Sequence, residues 1–128
     1  MKTLTNAELE NLNFDNSDVT EMAVNPKDKT FIIRCVGADL SEGDEDIRLD
    51  NVSIIVKGFE SVQARLFVDD AFKPVEATDS TFFLSEVCEL SHENGKTMIS
   101  GFSTQEGSWA DFTLVGGTFE VNSSAVTH

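Results

Sequence analysis

Two cysteines, two histidines and a run of carboxylates are the residues whose chemistry could exceed packing in this chain. Cys35 lies in Phe31-Ile32-Ile33-Arg34-Cys35-Val36 and Cys88 in Phe82-Phe83-Leu84-Ser85-Glu86-Val87-Cys88, both apolar and strand-like. A free thiol in such a run reads as a small buried hydrophobe, and a disulfide or a reactive thiol is the alternative. His92 falls in the turn Ser91-His92-Glu93-Asn94-Gly95-Lys96, and His128 is the last residue. Zinc asks for three or four nitrogen, sulfur or oxygen ligands at compact spacing. Neither histidine has such neighbours. A nucleophile relay needs an imidazole on a supported element beside a serine or cysteine, and a turn tip and a terminal position do not offer one. The expectation is a protein that is not an enzyme and carries no cofactor.

The carboxylates are more distinctive. Between Gly37 and Asp50 stand Asp39, Glu42, Asp44, Glu45, Asp46 and Asp50, with Arg48 as the single base. Calcium takes six to eight oxygens, but Gly43 comes one position early for an EF-hand loop and no Glu closes it at the required distance. Consecutive carboxylates of this kind form a solvated, mutually repelling surface. The segment is therefore expected to be an exposed loop facing a partner, with no metal. Trp109 and Asp111 share a strand face, with Ala110 and Phe112 on the other. A carbohydrate platform would use that face. The plainer expectation packs Trp109 at the edge of the core and leaves Asp111 solvated.

These residues sit on a chain of 128 residues with ten Phe and 40% hydrophobic content, enough for one domain with its own core. Its 23 Asp and Glu against 9 Lys and Arg give a net charge of −14, an excess shared evenly between the two halves. Such a field repels phosphate backbones and anionic bilayers, which argues against nucleic acid and membrane partners and favours a basic protein. No apolar run approaches the ~20 residues of a membrane span, and no charged-then-apolar leader opens the sequence. A cytoplasmic location with reduced thiols is the expectation.

The periodicity is that of strands. Leu4–Leu12 reads as a short N-terminal helix capped by Thr5 or Asn6, inside a lead-in of residues 1–17. Val19–Val24 and Thr30–Val36 then flank the turn cluster Asn25–Lys29. Val52–Lys57 and Ser61–Val68 follow the acidic segment, separated by Gly58-Phe59-Glu60. Asp69–Ser80 reads as a polar connection. Thr81–Leu90 and Thr97–Ser103 flank Asn94-Gly95, a strong hairpin signal because both central residues of a type I′ turn need positive φ. Glu106-Gly107-Ser108 precedes Trp109–Val115, and Gly116-Gly117, read as a hairpin or bulge pair, leads to Thr118–Asn122. Residues 123–128 read as a flexible tail. Turn signals every eight to twelve residues define an all-β domain spanning 1–128, an antiparallel sandwich or partly closed barrel with a short N-terminal helix. Edge strands such as Val19–Val24 or Thr118–Asn122 would allow a homodimer.

Three stretches, Phe14-Asp15-Asn16-Ser17-Asp18-Val19, Leu49-Asp50-Asn51-Val52-Ser53-Ile54 and Trp109-Ala110-Asp111-Phe112-Thr113-Leu114-Val115-Gly116-Gly117, resemble small acidic bacterial immunity-type proteins of toxin systems. The likeness lies in strand-and-turn texture and carries no residue role across. It implies a non-catalytic protein that occludes a partner's surface. Charge and resemblance together give the expected function: an acidic interaction module, an immunity-type inhibitor of a basic protein. A structural homo-oligomeric β domain, or a small-molecule or carbohydrate binder, is the alternative.

Overall fold

The computed structural model describes residues 2–104 and 108–127. Eleven strands follow in order: β1 (Lys2–Thr3), β2 (Leu12–Asn13), β3 (Ser17–Asn25), β4 (Thr30–Glu42), β5 (Glu45–Lys57), β6 (Ser61–Val68), β7 (Ala71–Val75), β8 (Leu84–Glu93), β9 (Lys96–Ser103), β10 (Trp109–Val115) and β11 (Thr118–Thr127). They form one antiparallel sheet in the order β1-β11-β5-β4-β3-β8-β9-β10-β6-β7, with β2 added against β4. The sheet does not close into a barrel; β1 and β7 end the path. All-β is the right class.

The sheet turns back on itself at β3, which pairs with β4 through Val19–Asn25 and with β8 only through Ser17 and Asp18. Its two halves enclose one core. Phe31 of β4 lies 6.0 Å, centroid to centroid, from Phe112 of β10 in the opposite half, and Phe83 meets Phe112 edge-on at 6.4 Å. Ile33, Leu40, Leu49, Ile54, Leu84, Ile99 and Leu114 fill the rest. No buried side-chain nitrogen or oxygen among the described residues lacks a hydrogen-bond partner. Two chain crossings join the halves at one end. Gly58-Phe59-Glu60 leads from β5 to β6 and Gly116-Gly117 from β10 to β11, which do not pair. The glycine pair is thus a corner where a hairpin or bulge was expected. A Cβ on Gly117 would stand 2.5 Å from the Lys57 carbonyl oxygen, so only glycine lets the two crossings touch.

Other expectations need correction. Val19–Val24 and Thr118–Asn122 do not lie on edge strands, because β3 lies between β4 and β8 and β11 between β1 and β5. The short N-terminal helix reduces to one turn, Asn6–Leu9, held by a capping box in which the Glu8 N–H donates to Thr5 Oγ1 and the Thr5 N–H to Glu8 Oε1. Helix nucleation is costly and this segment is short, so the chain resumes extended pairing when Leu12 meets Leu40. Gly37–Asp50 is no loop: β4 and β5 are thirteen residues each, and only Gly43-Asp44 turn between them. Asp69–Ser80 contains β7, joined to β6 by Asp69 and Asp70 at φ +53° and +63°. Aspartate tolerates this region better than most residues. Pro74 fits there because β7 is an edge. Residues 123–127 extend β11 against β5 where a flexible tail was expected.

Other elements match their expectation. Ser61–Val68 and Trp109–Val115 are strands with those bounds. Asn94 and Gly95 close β8 on β9 at φ +54° and +74°. The turn at 106–108 falls partly outside the described residues. No helix among those residues is long and apolar enough to cross a membrane.

Candidate functional site

The acidic segment is a hairpin anchored in the core because its apolar residues alternate with its acids. Ala38 and Leu40 on β4 and Ile47 and Leu49 on β5 point into the core and are almost fully buried. The intervening Asp39, Asp46, Arg48 and Asp50 must then face outward. Gly43, at φ +61°, takes the first central position of a two-residue turn, where a type II′ geometry favours glycine.

Arg48 sits opposite Asp39 and is drawn to both neighbouring acids, with Nη1 3.4 Å from Asp39 Oδ1 and Nε 3.8 Å from Asp50 Oδ1. All three side chains are partly solvated, so these contacts orient more than they stabilise. Ser41 Oγ donates to Asp46 Oδ1 at 3.1 Å. Asp44 and Glu45 occupy the exposed tip. Glu42 pairs with Glu45 along the backbone, and its side chain lies outside the described residues. The hairpin thus gathers Asp39, Asp46 and Asp50 on one outer face and carries Asp44 and Glu45 at its end. Arg48 offsets part of that charge at the stem, and the tip keeps its own.

The outer face of β10 differs from expectation. Asp111 is 3% exposed, not solvated, and accepts from Arg65 Nε at 3.0 Å and Arg65 Nη2 at 2.5 Å across the β10–β6 pair. The same guanidinium lies 4.3 Å over the Phe72 ring, and Phe72 meets Phe67 edge-on at 5.1 Å. Trp109 packs edge-on against Phe102 at 5.4 Å. An aromatic row and a bidentate ion pair therefore share this face. Phe67 and Phe72 remain 40% and 42% exposed beside the open edge of β7. Arg65 went unnoticed in the sequence; its signal was the outward parity it shares with Gln63 and Phe67 on β6.

Both thiols and the His92 imidazole have packing or hydrogen-bond partners. Cys35 is buried, and Cys88 is half-buried with its thiol donating to Asn16 Oδ1 at 3.0 Å. Burial pushes both thiols above their ordinary pKa, and at Cys88 the Glu86 and Glu89 carboxylates add to that. A raised thiol pKa makes a poor nucleophile. His92 stacks on Phe119 at 4.3 Å and shares a 2.8 Å hydrogen bond between Nδ1 and Thr97 Oγ1. Among the described residues, no three of His, Cys, Asp and Glu converge closely enough to hold a metal ion. Comparison with protein-family models, with curated protein sequences and with solved structures finds no match to this chain.

Proposed function

We infer that this chain is a non-catalytic interaction module whose acidic β4–β5 hairpin binds the basic surface of a partner protein, an inhibitor in the manner of immunity proteins. The observation that carries this reading is the anchoring of the hairpin. Leu40, Ile47 and Leu49 fix its stem in the core, so Asp44, Glu45 and Asp46 are presented at a defined place and are not dispersed on a mobile loop. Preorganised charge lowers the ordering cost of binding. A net charge of −14 steers a basic partner toward it and makes the encounter salt-sensitive. The stacking of the two sheet halves about one core supports reading the domain as a sandwich. The test replaces Asp44, Glu45 and Asp46 with Ser and compares capture of basic proteins at low and at ~0.5 M salt, where screening falls to about 4–5 Å. Loss of salt-sensitive capture in the variant supports the hairpin; equal capture removes it.

A homo-oligomeric reading has one observation in its favour: the exposed Phe67–Phe72 pair beside the open β7 edge. A salt-resistant dimer by light scattering, lost in Phe67→Ser/Phe72→Ser, is its test.

A further inference from the structure

We propose that the open edge of β8 from Cys88 to Glu93 takes an extended segment of alternating apolar and basic residues, as an added strand of the sheet. The proposal rests on the reading of a basic partner and names where and in what conformation that partner docks.

β8 pairs along its length with β9, but on its other side it meets β3 only at Glu86 and Val87. Beyond that point the chain preceding β3 turns away through Asp15 and Asn16, both at positive φ, and joins β4 through β2. Among the described residues no strand pairs with Cys88–Glu93 on that side. The two-residue turn at Asn94-Gly95 makes Glu93 and Lys96 the closing pair that exchanges both ladder bonds. Alternation along an antiparallel ladder then aims the N–H and C=O of His92 and Leu90 toward the open side. Six residues offer a strand of about 20 Å.

A groove of 620 Å³ runs along this edge, between the lead-in residues and β8. Leu9, Leu12, Phe14 and Leu90 give it apolar walls. Glu10, Glu89 and Glu93 supply its charge, and no lysine or arginine lines it. Glu89 and Glu93 lie four residues apart on one face of β8, opposite in parity to the inward Leu90 and His92. A strand laid on the edge places every second side chain in the apolar groove and the others beside these two carboxylates. That pattern selects alternating apolar and basic residues. Asn13 of β2 pairs with Asp39, so the groove adjoins the stem of the acidic hairpin.

The probe is the blocked peptide Lys-Val-Lys-Val-Lys-Val-Lys, titrated onto the full chain by fluorescence, with amide exchange read by NMR. Two further forms carry N-methyl groups on the valines or on the lysines, so that each blocks one edge of the added strand while charge is kept. The expected result is saturable binding that slows exchange at the Leu90 and His92 amides. One methylated form should bind tenfold or more weakly than the other, and Glu89→Gln/Glu93→Gln should weaken the parent peptide several-fold. Equal affinity of the two methylated forms, absence of binding, or unchanged exchange at Leu90 and His92 overturns the proposal. So does protection of those amides that rises with the concentration of the free protein, since that is self-pairing. The hairpin is judged separately by its own Ser variant. Peptide binding at β8 with capture indifferent to that variant sinks the hairpin and keeps the groove, and the reverse result sinks the groove alone.

Discussion

Asp111 is enclosed by the sheet and gives both carboxylate oxygens to Arg65 on the neighbouring strand, while Arg65 covers the ring of Phe72 on the strand beyond. One ion pair thereby ties three strands, β10, β6 and β7, at the end of the sheet path. The two partners are unequal: the Asp111 side chain is almost fully enclosed, whereas that of Arg65 is about half exposed.

That asymmetry predicts which deletion costs more. Arg65→Met strands a buried carboxylate and should destabilise the chain by about 2–3 kcal/mol in urea unfolding. Arg65→Met/Asp111→Leu replaces both charges and should recover most of that loss. A double variant no more stable than the single would contradict the pairing.

The hairpin makes a second prediction. Leu49→Ala should cost about 2–5 kcal/mol, as for a core position. An exposed loop residue would cost within about 0.5 kcal/mol. Urea midpoints separate the two outcomes.

The hairpin also shows where sequence pattern loses its grip. Phe31, Ile33 and Cys35 alternate inward on β4, and then Ala38 and Leu40 do so in the opposite phase; on β5 the same shift falls between Leu49 and Val52. Asn51 at φ +51° on β5 and Val36 on β4, which lie between the pairs Cys35–Val52 and Gly37–Asp50, take up the step. Period-two reading sees two short strands and a gap, because a phase slip in facing strands cancels in the pairing and not in the sequence. β7 was hidden differently: Pro74 and exposed side chains speak against a strand unless it is an edge. Where turn chemistry and phase agree, as at Asn94-Gly95 and Trp109–Val115, the strands were legible. Of the six acids proposed for partner binding, their clustering was legible and the register that orders them was not. Nothing in the alternation announced the unpaired side of β8, because an absent neighbour is a property of topology.

The thiols give a pH dependence. Burial raises Cys35 and Cys88 in the folded chain, so stability is fully present below the ordinary thiol value and falls as pH rises through it toward the folded values. Urea midpoints should be level up to about pH 8 and decline above about pH 8.5, where the unfolded chain ionises first. Cys35→Ala/Cys88→Ala should flatten that alkaline decline. An unchanged decline would place its cause elsewhere.

The acids at the hairpin tip are proposed to bind a basic protein. The most direct measurement immobilises the full chain and its Asp44→Ser/Glu45→Ser/Asp46→Ser variant and reads captured proteins by mass spectrometry at low and at ~0.5 M salt. A basic protein should be held by the native chain at low salt, released at high salt and lost by the variant. The same protein held equally by both chains, or no basic protein at either salt, would contradict it.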